Sequence, residues 1–239
     1  MLGVVEKCRG CLCGRPTDRK AGLREMDYRT VYECGKGEIV EKKSRFIGEV
    51  FPVETEEEAA EILGNIKKQY WDARHHCWAY VIGEEQVQER FSDDGEPGGT
   101  AGKPILEVIR GHGLKNVLVV VTRYFGGTLL GTGGLVRAYT QSAQAGIAAS
   151  TLITKIDGYE LKIETDYSGL GKLQYLLAQR GLPTVDADYA ETVTLSTLVA
   201  AGEEKAFIKA VTEATNAQAA VRRERACRFA YQEGEAVIF

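Results

Sequence analysis

A dense glycine cluster is the part of this sequence whose composition most strongly suggests chemistry. Residues 121–139, VTRYFGGTLLGTGGLVRAY, hold five glycines between Arg123 and Arg137. Because glycine loses more backbone entropy on folding than any other residue, such a cluster indicates positive φ angles or close backbone contacts. The glycines are Gly126, Gly127, Gly131, Gly133 and Gly134.

The position of the cluster between two elements suggests an anion site. The run NVLVVVTRYF before it predicts a strand buried on both faces, and LVRAYTQSAQAGIAAS after it predicts a helix. Backbone amides at a helix N-terminus bind anions, and bare glycines let a phosphate oxygen come close. Thr132 is a candidate N-cap, and Arg137 lies about one turn into the helix. The alternative is that the glycines only let the helix pack closely on the sheet.

Other motifs for cofactors and metals are weaker. No GxGxxG occurs, and GGTAGKP lacks the spacing and the Ser/Thr of a P-loop, so no cofactor is predicted. Asp93, Asp94 and Glu96 offer oxygen ligands for Mg²⁺ or Ca²⁺, but their spacing differs from the calcium loop and Asp-Gly favours a turn. The sequence CRGCLC at residues 8–13 has no second ligand pair for zinc. We therefore predict a turn at Asp93 and no metal site.

Several polar residues could support catalysis, but no motif assembles them. Ser44, His75 and Asp93 are plausible functional groups, yet a nucleophile needs an oriented base within hydrogen-bond reach. His75 and His76 point to opposite faces of a predicted strand, so at most one of them lines a given site. Cys77 lies in an apolar strand pattern, which favours a small buried side chain. A non-catalytic function is therefore expected.

The composition indicates an ordinary globular protein. Of the 239 residues, 44% are hydrophobic and 27% are charged, which is typical of folded domains. No apolar run approaches the roughly 20 residues of a membrane-spanning helix, and the N-terminus lacks the apolar core of a secretory signal. We expect a cytoplasmic protein with no membrane contact. With a net charge of −4, nucleic acid would have to bind a local basic patch.

The first part of the chain predicts mixed α and β structure. Residues 28–53 alternate like strands, with a turn at GKG. Thr55 and Glu58 form a capping box for a helix. HHCWAYVIG and QVQERFSDDG predict a hairpin. Pro104 suits the first turn of a helix that continues through ILEVIRGHG.

The pattern changes near residue 155. A strand, a helix, two strands, a helix and a last strand follow, which is the ferredoxin-like βαββαβ plan. We predict an α+β protein with a poorly ordered N-terminal extension at 1–25, a first domain at 26–154 and a second domain at 155–239. The last strand contains RRERACR, in which alternation predicts Arg223 and Arg225 on one face. A solvated charged face is favoured, since RNA-binding sheets usually add exposed aromatic side chains.

One long segment resembles a known family signature. Residues 102–131, GKPILEVIRGHGLKNVLVVVTRYFGGTLLG, resemble that of the IMPACT/YigZ family. Three further segments fit the same family: KSRFIG at 43–48, DARHHCWAY at 72–80 and FSDDGEPGGTAGKP at 91–104. The resemblance runs from about residue 26 to residue 239. It implies a first domain like the α+β domains of a small-subunit ribosomal protein and of elongation factor G, followed by a ferredoxin-like second domain.

The resemblance also implies a function connected with translation. We expect a non-catalytic RNA- or ribosome-associated factor whose glycine loop binds phosphate through backbone amides, Arg123 and Arg137. The alternative is an enzyme that acts on a phosphorylated small molecule at this loop. RNA binding would weaken steeply with salt, whereas a pocket ligand would raise the melting temperature by mass action. No pattern specifies an oligomeric state. By resemblance, four further residues line the same surface: Ser44, Arg45, His75 and Lys103.

Overall fold

The computed structural model of this protein describes residues 27–232 and 234–239. The predicted extension at 1–25 lies outside the described residues. Within them the chain forms the predicted α+β structure, with two sheets and five α-helices, and none of these helices is long and apolar enough to cross a membrane. The strands are β1 (Tyr28–Glu33), β2 (Gly35–Glu41), β3 (Ser44–Pro52), β4 (His75–Ile82), β5 (Gln88–Ser92), β6 (Val117–Tyr124), β7 (Thr151–Thr165), β8 (Thr184–Tyr189), β9 (Val193–Ala200), β10 (Ala220–Gln232) and β11 (Glu235–Ile238). The helices are α1 (Glu56–Gln69), α2 (Gly102–Gly111), α3 (Thr132–Ala148), α4 (Tyr167–Gln179) and α5 (Glu204–Ala214).

The first sheet has the strand order β2-β3-β6-β4-β5 and is antiparallel throughout. Helices α2 and α3 pack on one face and α1 packs on the other. The central strand β6 is therefore buried on both faces, which confirms the prediction for NVLVVVTRYF. Because Arg123 is the penultimate residue of β6, the sheet fixes the point at which the glycine cluster begins.

The predicted turn at GKG is wrong, because Gly35 and Gly37 lie inside β2. These glycines let α3 pack directly on the sheet: a Cβ added to Gly37 would lie 2.4 Å from the carbonyl carbon of Ala145 in that helix. Gly48 in β3 meets the same helix, since its Cβ would lie 2.1 Å from the carbonyl oxygen of Ser142. The actual turn is the two-residue connection between β2 and β3.

Of the two predicted N-caps, the structure confirms that of α1 but not that of α3. Thr55 is the N-cap of α1 and accepts a hydrogen bond from the amide of Glu58, as predicted. The Glu58 carboxylate, however, accepts from the amide of Glu54. Thr132 does not cap α3: the N-cap is Gly131, with φ of 74°, and Thr132 is the first helical residue. Glycine takes this positive φ without a steric penalty, whereas a β-branched residue does not.

The second sheet contains the predicted ferredoxin-like unit. Its order β10-β7-β9-β8 places the last strand of the unit beside the first, and α4 and α5 pack on one face. Two further strands extend this sheet: β11 pairs with β10, and β1 pairs with the first residues of β7. Because β7 runs from Thr151 to Thr165, it spans the predicted domain boundary at 154/155, which stays a prediction.

The arginine-rich strand β10 does not alternate as predicted. A bulge between Arg223 and Arg225 shifts the register, so that Arg223 lies opposite Leu161 and Arg225 lies opposite Glu160. Adjacent residues of β7 point to opposite faces, so these two arginines lie on opposite faces as well. Each arginine of the run has a carboxylate partner, which agrees with a charge-compensated surface. The pairs are Arg222 with Glu224, Arg223 with Glu204, Arg225 with Glu160, and Arg228 with both Asp157 and Glu84.

Arg228 joins the two sheets. Its guanidinium lies 2.6 Å from Asp157 in β7 and 2.5 Å from Glu84 in the connection between β4 and β5. It also lies over the ring of Tyr28, 5.4 Å from the centroid. The hydrogen bonds that Arg228 donates to Asp157 and Glu84 raise the pKa of this guanidinium. This contact anchors the first sheet to the second.

Candidate anion-binding site

Three neighbouring strands bring the predicted site residues to one end of the first sheet. Arg123 in β6 lies opposite Phe46 in β3 on one side and opposite His75 in β4 on the other. Arg45 lies opposite Tyr124. The glycine cluster leaves β6 at this point and leads into α3. We call the region formed by the β2–β3 turn, the start of β4, the end of β6 and the start of α3 the sheet end.

Arg123 is buried, at 5% exposure, and forms an ion pair with Glu96 in which Nη1 lies 2.5 Å from Oε1. Its guanidinium also lies over the rings of Phe46 and Phe125, at 5.3 and 5.6 Å from the centroids. Its Nε has no hydrogen-bond partner within the described residues. A buried charge is stable only when it is paired, so Arg123 and Glu96 each need the other. Because Glu96 lies in the loop at 93–101 and Arg123 lies in β6, this ion pair holds the loop on the sheet.

Glu96 is the centre of a buried polar cluster. Its Oε1 accepts a hydrogen bond of 2.8 Å from the Tyr139 hydroxyl and lies 4.0 Å from Nε2 of His75. The Cys77 sulfur lies 3.4 Å from the same hydroxyl oxygen. Burial raises the pKa of the Cys77 thiol to about 12 and also raises the pKa of Tyr139. Cys77 is fully buried, which confirms the prediction of a small buried side chain.

His75 is held between the loop and Glu96. Its Nδ1 lies 2.9 Å from the carbonyl oxygen of Asp94. Because a carbonyl oxygen only accepts, Nδ1 is the donor in this contact. His76 packs on the other face of the sheet, as predicted, and its Nε2 lies 3.1 Å from the carbonyl oxygen of Tyr70.

Asp93 organises the following loop as a turn, as predicted. The Glu96 amide donates to the Asp93 carbonyl oxygen at 2.9 Å, which closes a β-turn. The Asp93 carboxylate accepts hydrogen bonds from the amides of Gly99, Ala101 and Gly102 at 2.8, 3.0 and 2.8 Å. This carboxylate therefore occupies the N-terminus of α2. Among the residues that the structure describes, no group of His, Cys, Asp and Glu side chains is placed to hold a metal ion.

The glycines of the cluster serve different purposes. Gly126 lies against the β2–β3 turn: a Cβ there would lie 2.0 Å from the carbonyl carbon of Lys43. Its amide donates a 3.1 Å hydrogen bond to Oγ of the buried Ser44. Gly127 and Gly131 have φ of 84° and 74°, a conformation that favours glycine. The predicted tight passage from strand to helix thus depends on these three glycines.

The first turn of α3 leaves backbone amides open to solvent. In an α-helix the first amides have no intrahelical partner, and Thr132 and Gly133 are exposed. Apart from its chain neighbours and the backbone of its own helix, no described atom lies within 4 Å of the Cβ position of Gly133. The N-terminus of α2 is occupied by Asp93, whereas that of α3 receives no side-chain cap. This turn has the features of an anion site.

The predicted cationic residues differ in their partners. Arg45 forms a bidentate ion pair with Glu38, at 2.7 and 2.8 Å. Arg137 on α3 and Lys103, the second residue of α2, are exposed, and neither side chain has an ion pair or hydrogen bond within the described residues. Both lie on helices that flank the sheet end. The residues that the structure brings directly together are Ser44, Arg45, His75, Arg123, Gly126 and Gly127.

Comparison with known proteins connects this site with a family. Residues 42–147 match the Impact N-terminal domain, and residues 163–218 match a domain of unknown function, DUF1949. IMPACT family member YvyE of Bacillus subtilis is 43% identical over 195 residues, which cover 82% of this chain and 90% of that protein. This chain belongs to the IMPACT family.

Two further proteins are similar to this IMPACT-family chain over most of its length. IMPACT family member YigZ of Escherichia coli is 38% identical over 168 residues, covering 70% of this chain and 82% of that protein. A crystal structure of a hypothetical protein superposes with a TM-score of 0.54 at 32% identity, covering 82% of this chain and 96% of that one. All predicted site residues, from Ser44 to Arg137, lie within the segment that matches the Impact N-terminal domain.

Sequence reasoning missed two sets of residues at the sheet end. The first is Glu96 with Tyr139: the partner of Arg123 lies 27 residues away in sequence, and such a contact leaves no local pattern. The second is the pair Lys42 and Lys43, which forms the β2–β3 turn. A signal existed for the second set, because the family segment KSRFIG begins at Lys43.

Proposed function

We propose that this IMPACT-family protein is a cytoplasmic, non-catalytic RNA- or ribosome-associated factor that acts in translation, and that the sheet end binds RNA phosphates. The observation that carries this proposal is the open first turn of α3, to which the glycine loop leads from the end of the buried strand β6. Amides at such a turn attract phosphate through their N–H groups and through the helix dipole. The sequence resemblance to the IMPACT/YigZ family implies a first domain like those of a small-subunit ribosomal protein and of elongation factor G, and this implication supports the link to translation.

Unpaired cations at and beside this turn support the proposal. Around the sheet end and the starts of α2 and α3, five exposed basic side chains form no ion pair with any described residue. In a chain with a net charge of −4, RNA binding depends on a local concentration of positive charge of this kind. The five residues are Lys42, Lys43, Arg74, Lys103 and Arg137.

Exposed aromatic side chains occur at the same end of the sheet. Trp71 is 81% exposed and Phe125 is 41% exposed. The residue after Trp71, Asp72, accepts a hydrogen bond of 2.9 Å from the Tyr124 hydroxyl, which places Trp71 beside the end of β6. Proteins that bind single-stranded nucleic acid combine basic grooves with aromatic side chains on which bases stack. In the second sheet the arginines of β10 are paired with carboxylates, which makes them less available to phosphate.

A second candidate function rests on His75. Its Nδ1 is held by the Asp94 carbonyl oxygen and its Nε2 lies 4.0 Å from Oε1 of Glu96, so the ring has the fixed orientation that a general base needs. In this alternative the protein is an enzyme whose phosphorylated small-molecule substrate is held by the first turn of α3. Phosphorylated metabolites would then raise the melting temperature of the protein, and His75→Gln would abolish turnover but retain this shift.

The test of the RNA proposal is a salt titration of binding to small ribosomal subunits and to a structured ribosomal RNA fragment. The double variant Lys103→Ala/Arg137→Ala removes two exposed, unpaired charges from α2 and α3, the helices that flank the sheet end. The control Lys205→Gln/Lys209→Gln removes two exposed charges from α5, of which Lys209 lies 3.8 Å from Glu213. We expect wild-type binding to weaken as salt increases, and the first variant to bind roughly tenfold more weakly at low salt. A folded wild-type protein that binds neither ligand at low salt contradicts the proposal.

A further inference from the structure

The turn between β2 and β3 has an unusual backbone. It consists of Lys42 and Lys43 alone, since Glu41 and Ser44 are already paired, and φ is 45° and 66° at the two lysines. Two-residue hairpin turns with positive φ at both positions are type I′ turns, which favour Asn-Gly. This left-handed conformation is sterically unfavourable for a residue with a Cβ, and lysine has no short polar side chain to relieve it. The stability of the folded state alone would therefore favour Asn-Gly over Lys-Lys at this turn.

The packing of the turn holds it in one place. A Cβ at Gly126 would lie 2.1 Å from the carbonyl oxygen of Lys43 and 2.4 Å from the amide nitrogen of Ser44. The Gly126 amide donates to the Ser44 hydroxyl oxygen at 3.1 Å, and Ser44 is fully buried. The turn and the glycine loop are therefore interlocked through bare backbone, and the two lysines are anchored beside the loop that leads to α3.

Both lysine side chains project into solvent without a partner. They are exposed, and within the described residues neither forms a hydrogen bond, an ion pair or a contact with an aromatic ring. The other basic residues of this hairpin are engaged: Arg45 binds Glu38, and Lys36 donates to the Tyr70 hydroxyl at 2.7 Å. Two adjacent ammonium groups repel each other, so this pair favours an anionic ligand.

We propose that Lys42 and Lys43 form a phosphate-binding pair that contacts the RNA backbone next to the phosphate held by α3. This inference rests on the proposed function and assigns two contact residues to the same surface. An ammonium group binds phosphate as a compact point charge, and phosphate contacts fix the register of a protein on nucleic acid. The unfavourable backbone of the turn is retained because it sets the position of both charges.

A different role for these lysines is protection of a sheet edge. The β2 strand lies at the edge of the first sheet, and lysines on edge strands oppose pairing with other chains. In that role the lysines contribute to solubility but do not contact RNA. Measurements of stability and of RNA affinity on the same variants separate the two roles.

The experiment compares Lys42→Asn/Lys43→Gly with wild-type protein and with two controls. This variant installs the preferred residues of the turn and removes both charges. The control Lys42→Arg/Lys43→Arg keeps the charges, and Lys205→Gln/Lys209→Gln removes two charges elsewhere. We expect the first variant to melt about 2–8 °C higher than wild type. We also expect its log Kd for the ribosomal RNA fragment to depend less steeply on log salt, by about 1.4–1.8 units for two lost phosphate contacts.

Each other outcome overturns the inference in a recognisable way. A higher melting temperature with unchanged RNA affinity and salt dependence removes the phosphate contact and leaves the proposed function intact. An equal loss of affinity in the α5 control shows that only net charge matters. A lower melting temperature shows that the turn is not strained. If folded wild-type protein binds neither the RNA fragment nor small ribosomal subunits at low salt, both the inference and the proposed function are wrong.

Discussion

The ion pair between Arg123 and Glu96 is predicted to hold the loop at 93–101 on the sheet, and this role can be separated from RNA binding. The two side chains are only 6% and 4% exposed. Arg123→Met keeps a long apolar stem but leaves the Glu96 carboxylate buried without its cation. Removing one partner of a buried ion pair costs about 3–5 kcal/mol of unfolding free energy.

The double variant Glu96→Gln/Arg123→Met should be more stable than the sum of the single variants predicts. It leaves neither charge buried, and the introduced amide oxygen can still accept from the Tyr139 hydroxyl. Residues in direct contact typically show a coupling of about 0.5–3 kcal/mol, and we expect the upper part of this range. For a chain of this length each kcal/mol lowers the melting temperature by about 2–4 °C. Arg123→Met alone should therefore melt about 6–20 °C below wild type.

The assay is urea and thermal unfolding of wild type, both single variants and the double variant, followed by circular dichroism. RNA affinity is then measured well below the lowest melting temperature, so that every variant is folded. We expect Arg123→Met to lose stability and to keep its RNA affinity within about threefold, a change of only about 0.6 kcal/mol. The reasoning is refuted if Arg123→Met unfolds within about 1 kcal/mol of wild type and loses RNA binding, because the guanidinium would then contact the ligand.

Three further predictions concern the fold that carries the site. Gly48→Ala places a methyl group 2.1 Å from the Ser142 carbonyl oxygen and should lower the unfolding free energy by about 1–3 kcal/mol or more. Gly64→Ala lies in open space on a helix and should raise it by about 0.5–1 kcal/mol. Urea unfolding of both variants measures these changes. Burial raises the pKa of the Cys77 thiol to about 12, so the unfolded state loses this proton first as the pH rises. Stability should therefore fall above about pH 9 by up to about 1.4 kcal/mol per pH unit from this group, and unfolding of Cys77→Ala across this range should lack that component. Thr55→Ala removes the N-cap of α1 and should lower the unfolding free energy by about 1 kcal/mol; an unchanged urea midpoint would contradict this.

The elements that the sequence predicted correctly depend on local patterns. The apolar run of β6 identifies a strand buried on both faces, and Thr55 with Glu58 identifies the start of α1. The succession of alternating and helical segments after residue 155 identifies the ferredoxin-like unit. In each case the pattern lies within a few residues of the element that it specifies.

The elements that the sequence did not predict depend on contacts between distant residues. Gly35 and Gly37 look like turn residues, yet they lie in a strand because α3 packs against their bare backbone. The faces of Arg223 and Arg225 differ because a single bulge shifts the register of β10. Arg123 is buried because it pairs with Glu96, 27 residues away in sequence. The local pattern around Arg123 suggests a phosphate ligand and contains no sign of this pairing.

The most direct test of RNA binding at the sheet end is a nitrogen–proton correlation spectrum recorded while a short ribosomal RNA fragment is added. We predict that the largest amide shifts occur at the glycine loop and the first turn of α3, from Gly126 to Gly134, and at the β2–β3 turn. Increasing salt should reverse these shifts, because phosphate contacts depend on counterion release. Shifts confined to the arginine-rich strand β10, or no shifts in a folded protein at low salt, would contradict the proposed site.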